Sequence, residues 1–313
     1  MQEEKKINLS KNDVELLYNI LHGKKVTILG HDNPDVDSVL SAILFSKLLD
    51  FWKIENEFLI LQEIKEDDTY SIVKELFGID MSKYQMLGED SNRNIVLLDH
   101  YQTLHQGKVL ACIDHHFTTR DFDYPFKYVK HSCATAYLIY EIMQEAGYIL
   151  LKEDVEMIVM AMLVDTVAFK STKTVKREAN VAKELAKKYD VDFYLLEKYG
   201  LALTDISSMS DENIISNGEK WYNYRRRKDV GSSYLQLYGM PSQEVINKWL
   251  ELILAKRINT GADMLIFLIF DVKEGNTYEY RVTSENIEKL SYQGILSRGK
   301  DIMPKIEAMF VNS

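Results

Sequence analysis

Gly30-His31-Asp32-Asn33-Pro34-Asp35-Val36-Asp37-Ser38 crowds one imidazole and three carboxylates into a short turn. Imidazole nitrogen and carboxylate oxygen together suit a divalent metal such as Mn, Zn or Fe. Groups of the same kind recur downstream at Asp99-His100, Asp114-His115-His116 and Asp165-Thr166. Singly, each has a plain reading. Asp35 or Asp37 could cap a following helix, Asp99 could be a turn residue, and His115 a satisfied polar group at a strand end. Together, His31, Asp35, Asp37, Asp99, His115, His116 and Asp165 are too many ligands for one tetrahedral zinc. They suit two ions of higher coordination that share bridging carboxylates, as in two-metal phosphoryl hydrolases, where a bridging hydroxide attacks phosphorus in line. A leftover His could then hold a phosphoryl oxygen. Arg298 and Lys300 would make a cationic clamp, Arg by its fork and Lys as a point charge. Their plainer reading is a solvated charged loop.

The elements around these residues explain how they could meet. Val26–Leu29 reads as a buried strand before the first turn, and residues 38–51 as the helix after it. Ile95–Leu98 ends in Asp99-His100, and Val109–Ile113 ends in Asp114-His115-His116. Continuous apolar runs alternating with helices indicate parallel strands covered on both faces. Polar groups at the carboxyl ends of such strands meet in one crevice. Phe58–Leu61 is a second short strand, and Tyr128–Lys130 an edge strand. Helices are expected over 9–22 with Ser10 as cap, over 67–77, from a Ser132 cap to Ala146, over 153–168 and over 176–189. Asp165 comes near the end of the strongly apolar one, where a carboxylate is costly unless it is paired or bound to metal.

Past residue 197 the pattern changes. Residues 1–197 read as an α/β domain built on a parallel sheet with helices on both faces. Residues 198–210 read as a linker, and 211–313 as a smaller α+β domain with a mixed sheet. In that second part Tyr234–Met240, Met264–Val272 and Tyr278–Thr283 are strands, and Ser242–Arg257 is a helix.

The chain has 313 residues, 46% of them hydrophobic and 27% charged, an ordinary globular balance. A net charge of −10 argues against broad nucleic-acid or anionic-membrane binding, which needs clustered Lys and Arg. Two cysteines, Cys112 and Cys133, do not make a disulfide framework and read as buried reduced thiols. No apolar run approaches the roughly 20 residues of a membrane span, and the first residues hold no apolar leader core, so a cytoplasmic enzyme is expected.

The four metal-type motifs, in this order and spacing, resemble those of the DHH phosphoesterase superfamily. Ser297-Arg298-Gly299-Lys300-Asp301-Ile302-Met303-Pro304 looks like the substrate-binding signature of the DHHA2 domain. DHH followed by DHHA2 is the arrangement of family II, manganese-dependent inorganic pyrophosphatases and their exopolyphosphatase-like relatives. The resemblance implies two divalent ions, Mn with Co or Mg as alternatives, ligated by His31, Asp35, Asp37, Asp99, His115 and Asp165. Asp99 and Asp165 would serve both ions, and His116 would contact substrate phosphate. Arg298 and Lys300 would bind phosphate from the second domain as the cleft closes.

Three departures thin that clamp. Gly299 interrupts the basic pair, Ser207-Ser208-Met209-Ser210 lacks the family's Lys, and Asp99-His100-Tyr101-Gln102 replaces the usual Asp-His-Asn-Glu. The expected activity is phosphoanhydride hydrolysis, most simply of pyrophosphate. A polyphosphate or nucleotide-type substrate is the alternative, and a non-catalytic regulatory homologue the lesser one. The implied partner is a small phosphate-containing substrate, and a homodimer is compatible with the sequence.

Overall fold

The computed structural model describes residues 9–32, 34–61, 68–88, 92–101, 108–116, 123–201, 203–224 and 228–311. Asn33, Asp67 and Gln102 of the motifs and elements above lie outside the described residues. The chain forms two compact units, Met1–Phe169 with Lys173–Gly200, and Lys170–Thr172 with Leu201–Ser313.

The first unit runs α1 (Lys11–Leu21), β1 (Val26–Leu29), α2 (Val36–Phe51), β2 (Asn56–Leu59), α3 (Asp68–Phe77), β3 (Asn94–Leu98), β4 (Lys108–Asp114), β5 (Phe126–Val129), α4 (Thr135–Glu145), α5 (Lys152–Asp165), α6 (Lys176–Lys188) and α7 (Phe193–Gly200). Ser10 starts α1 through a reciprocal capping box with Asp13. The strands pair in the order β2-β1-β3-β4-β5, all parallel. Every residue of β1 is buried, as a central parallel strand requires. Leu29 lies opposite Leu97, and Leu97 opposite Cys112, so β1, β3 and β4 finish level with one another. The residues that follow each strand therefore share one edge.

Helix α2 is apolar nearly all round because it is enclosed, packing against α4 and α5. It begins two residues earlier than its apolar periodicity indicates. Asp35 is its N-cap, accepting the Ser38 amide at 3.0 Å. Helix α4 corrects one expectation. It starts at Thr135 with Ala134 as N-cap, and Ser132 does not cap it. The Ser132 hydroxyl instead donates to Glu178 at 2.8 Å, with the Ala134 carbonyl 3.2 Å away. Cys112 and Cys133 are free and buried, as expected.

The second unit contains α8 (Asp211–Ile215), β6 (Lys220–Tyr224), β7 (Lys228–Leu237), α9 (Gln243–Thr260), β8 (Met264–Asp271), β9 (Asn276–Val282), β10 (Ile287–Gln293) and α10 (Met303–Val311). Its sheet order is β10-β9-β8-β7-β6. Strands β7 and β8 are parallel, joined through α9, and the other pairs are antiparallel. Ser242 caps α9, and Gly261 ends it in the left-handed conformation that only glycine adopts freely. The core gathers Leu235, Trp249, Phe267, Ile269, Tyr280 and Val282. Strands β6 and β10, at the sheet edges, lie outside the strands expected from the sequence.

Candidate metal centre

The metal-type residues of the first unit converge where β1, β3 and β4 end. His31 follows β1. Its amide donates to the Ser38 hydroxyl at 3.2 Å, which folds the turn back onto α2. Asp99 follows β3 with φ +64, a left-handed conformation that Asp tolerates better than most residues. Its amide still bonds the Ile113 carbonyl, so the residue leaves the sheet without losing its tether. Asp114 is the last residue of β4, and His115 and His116 come directly after it.

The side chains form two overlapping trios, His31 with Asp35 and Asp99, and Asp99 with His115 and His116. In each, one ligand atom per residue lies within 4.8 Å of the others. His31 Nε2 is 3.4 Å from Asp99 Oδ2 and 3.6 Å from Asp35 Oδ2. His115 Nε2 is 3.4 Å from Asp99 Oδ1, 3.6 Å from Asp165 Oδ2 and 3.8 Å from Asp37 Oδ2. These separations are long for hydrogen bonds. Two ligand atoms bonded at about 2.1 Å to one ion, roughly at right angles or a little wider, lie about 3.0–3.4 Å apart. The observed spacings approach that figure. Asp99 belongs to both trios, so it is the carboxylate that could bridge two ions.

Two further observations fit a cation. Asp99 Oδ2 and Asp165 Oδ2 are buried with no hydrogen-bond partner among the described residues. A buried carboxylate oxygen left in that state costs free energy that a metal ion would offset. The His115 ring also carries the tautomer a metal needs. Its Nδ1 faces the Ser132 carbonyl at 3.1 Å. A carbonyl only accepts, so Nδ1 bears the hydrogen and Nε2 is the nitrogen turned to the cluster, able to offer its lone pair once its own proton is displaced.

Charge balance without an ion is carried by protons and by one lysine. Burial pulls His31 and His115 down. The carboxylates outweigh it, Asp35 foremost for His31 and Asp165 foremost for His115, and hold the imidazoles up at about 11 and about 10. Burial raises Asp99, yet the imidazoles of His115 and His31 beside it bring it well below the usual carboxylate range. The Lys173 ammonium lies 2.6 Å from Asp165 Oδ1. Against the effect of burial, it and His115 depress the Asp165 carboxyl.

Several residues that matter here were absent from the sequence-derived site. Asp114, fully buried, accepts from both the backbone amide and Nδ1 of His116, at 2.9 and 2.8 Å. It fixes the ring and leaves Nε2 as the other nitrogen. The triplet Asp114-His115-His116 held that signal. The Thr135 hydroxyl donates to Asp99 Oδ1 at 3.0 Å, and Lys173 pairs with Asp165. No local pattern marked either. Asp32 is exposed and stands in neither trio.

Arg298 and Lys300 belong to the second unit, on the wide helical turn Arg298–Ile302. Arg298 Nη1 donates to the Gly218 and Ser232 carbonyls, and its guanidinium lies 5.0 Å over the Tyr234 ring. Lys300 is exposed, and a Cβ on Gly299 would meet open space.

Parallel sheet, shared strand edge and mixed nitrogen–oxygen cluster define an α/β domain with a candidate divalent-metal centre at its strand ends. Residues 25–169 match the DHH family, N-terminal domain. The chain is 27% identical over 317 residues to the manganese-dependent inorganic pyrophosphatase of Methanocaldococcus jannaschii, an alignment covering 90% of this chain and 98% of that one. Its fold superposes, with a TM-score of 0.68 and 25% identity, on a Methanococcus jannaschii crystal structure named as a family II inorganic pyrophosphatase, covering 91% of this chain and 99% of that one. An exopolyphosphatase-related protein from Bacteroides fragilis shares the fold at a TM-score of 0.53 and 14% identity, with 98% of both chains covered. Among the described residues no helix is long and apolar enough to cross a membrane.

Proposed function

We propose that this chain is a phosphoanhydride hydrolase that splits inorganic pyrophosphate into two phosphates, using two divalent ions, manganese foremost. The observation that carries this reading is the pair of donor trios sharing Asp99, with orphaned oxygens on Asp99 and Asp165. The manganese-dependent inorganic pyrophosphatase of Methanocaldococcus, similar over nearly its whole length, supports both the metal and the substrate. His31, Asp35, Asp37, Asp99, His115 and Asp165 would hold the ions. Bound there, the ions would supply Lewis acidity at phosphoryl oxygens and a nucleophile from water of lowered pKa.

The chain's own groups supply orientation. Asp114 ties His116 through Nδ1, which leaves Nε2 to meet a phosphoryl oxygen. The Thr135 hydroxyl holds Asp99 Oδ1, and Lys173 holds Asp165 Oδ1, so neither carboxylate is free to rotate. Arg298 and Lys300 are the proposed phosphate-binding cations. Arg298 is fixed in place by two carbonyls and a tyrosine ring, and so would lose little side-chain entropy when it engages phosphate. Residues 1–197 would carry the metal chemistry and 211–313 the substrate contacts, joined through 198–210.

A second substrate class, short polyphosphate or a nucleotide-type phosphoester, is favoured by Gly299 between the two cations and by the missing Lys at 207–210. Phosphate release from pyrophosphate, tripolyphosphate and a short oligonucleotide, each with Mn, Co or Mg, separates the readings. Pyrophosphate with Mn should be fastest. Faster tripolyphosphate moves the substrate to the second class, and no turnover in any combination removes the hydrolase reading. Asp165→Asn should lower the rate at least about a hundredfold, the scale of losing several kcal/mol of charge stabilisation. Retained activity would refute the two-ion ligand set.

A further inference from the structure

Glu178 sits in the first turn of α6 and is 5% exposed. Its Oε2 accepts from the Ser132 hydroxyl at 2.8 Å and from the Cys133 amide at 2.7 Å. Ser132 and Cys133 make the turn between β5 and α4. The Ser132 carbonyl receives the Nδ1 hydrogen of His115. The turn is stapled a second time where the Val175 amide donates to Cys133 Sγ at 3.2 Å. A chain of short contacts, buried along most of its length, thus runs from α6 to the His115 ring. A carboxylate enclosed to this degree is expensive for a protein to keep, and an apolar residue would fill the same space without that cost. What a carboxyl oxygen does that an apolar group cannot is fix two donors of the turn at once.

We infer that Glu178 is a positioning residue for metal loading: it sets the Ser132–Cys133 turn, whose Ser132 carbonyl holds His115 with Nε2 directed into the cluster. The inference rests on the two-ion reading of the site. Groups that orient a metal-binding histidine are worth about 10–100-fold in metal affinity. Glu178→Ala should therefore weaken Mn²⁺ binding by about 10–100-fold. Glu178→Gln keeps one oxygen able to accept both donors, and should restore most of that affinity. Ser132→Ala removes one donor while keeping the carbonyl and the Cys133 bond, and should lie between.

The measurement is a Mn²⁺ titration of the metal-free full chain, with free ion followed by electron paramagnetic resonance. Thermal melts of the metal-free variants report folding separately. A folded Glu178→Ala protein that binds Mn²⁺ like the unsubstituted chain overturns the inference and leaves Glu178 a purely structural residue. Failure of Glu178→Gln to bind better than Glu178→Ala overturns it as well. Should Glu178→Ala not fold, Ser132→Ala decides, and unchanged Mn²⁺ affinity there also overturns the inference. No Mn²⁺ uptake by the unsubstituted chain would instead bring down the two-ion reading itself.

Discussion

Both oxygens of Asp37 are taken by the start of a helix nearly a hundred residues away. Oδ2 accepts the Thr135 amide at 2.7 Å, Oδ1 accepts the Ala136 amide at 3.0 Å, and the Ser41 hydroxyl adds a third bond at 3.1 Å. The α4 N-cap, Ala134, has no side chain that could do this, so Asp37 caps the helix from outside. A carboxylate there also faces the positive end of the helix dipole. Asp37 thus has a structural duty in addition to its proposed ligand role, and the two can be separated in protein stripped of metal. Asp37→Ala orphans two buried amides, and should cost about 2 kcal/mol or more of metal-free stability in urea melts. Asp35→Ala removes a single cap bond at a half-exposed site, and should cost about 1 kcal/mol. Equal losses for the two variants, or no loss at Asp37, would sink the capping role.

The strands that carry the site were legible in the sequence for a physical reason. A parallel strand buried on both faces needs an unbroken apolar run, and Val26–Leu29, Ile95–Leu98 and Val109–Ile113 provide one, each followed by His or Asp. Strands β6 and β10 gave no such run. Lys220–Tyr224 and Ile287–Gln293 lie at sheet edges with much of their length exposed, so their composition is polar and aromatic rather than apolar. The supports of the site were illegible for a different reason. Asp37 to Thr135, Glu178 to Ser132 and Thr135 to Asp99 join residues far apart in the chain, and no local pattern records such a pairing. Ser132 does not cap α4 because the cap comes from across the fold, from Asp37. At the level of elements the two units should also be separable in stability. Phe267 on β8 is fully buried and meets Trp249 of α9 edge to face, with centroids 6.1 Å apart. Phe267→Ala should destabilise the second unit by about 3–5 kcal/mol, seen as an earlier transition in tryptophan fluorescence. Every proposed metal ligand lies in the first unit, so Mn²⁺ affinity should not change. A fall in Mn²⁺ affinity alongside the lost stability would mean that the units do not fold independently.

For the molecule as a whole, the cluster is a store of protons that divalent ions would displace. The chain carries a net charge of −10, and the cluster's buried carboxylates are faced inside the fold by His31, His115 and Lys173. In metal-free protein the two imidazoles stand at about 11 and about 10, above the ordinary histidine value of 6.5. A raised folded-state value means the native state binds more protons than the unfolded chain between those limits. The stability they contribute is complete below 6.5, falls steadily above it, and is gone once pH passes the folded-state values. Asp99 and Asp165 are depressed, so their contribution is present above the unfolded carboxyl value and is lost toward acid. Metal-free protein should therefore melt at progressively lower temperature from pH 7 to pH 10. The Mn²⁺-loaded protein should hold its melting temperature over the same range, because ions need neutral imidazole and supply the positive charge themselves. Loading at pH 8 in weak buffer should release about two protons per chain, read with an indicator dye. A metal-free melting temperature that stays level or rises between pH 7 and pH 10, with no proton release on loading, would show that the imidazoles do not hold the cluster's charge.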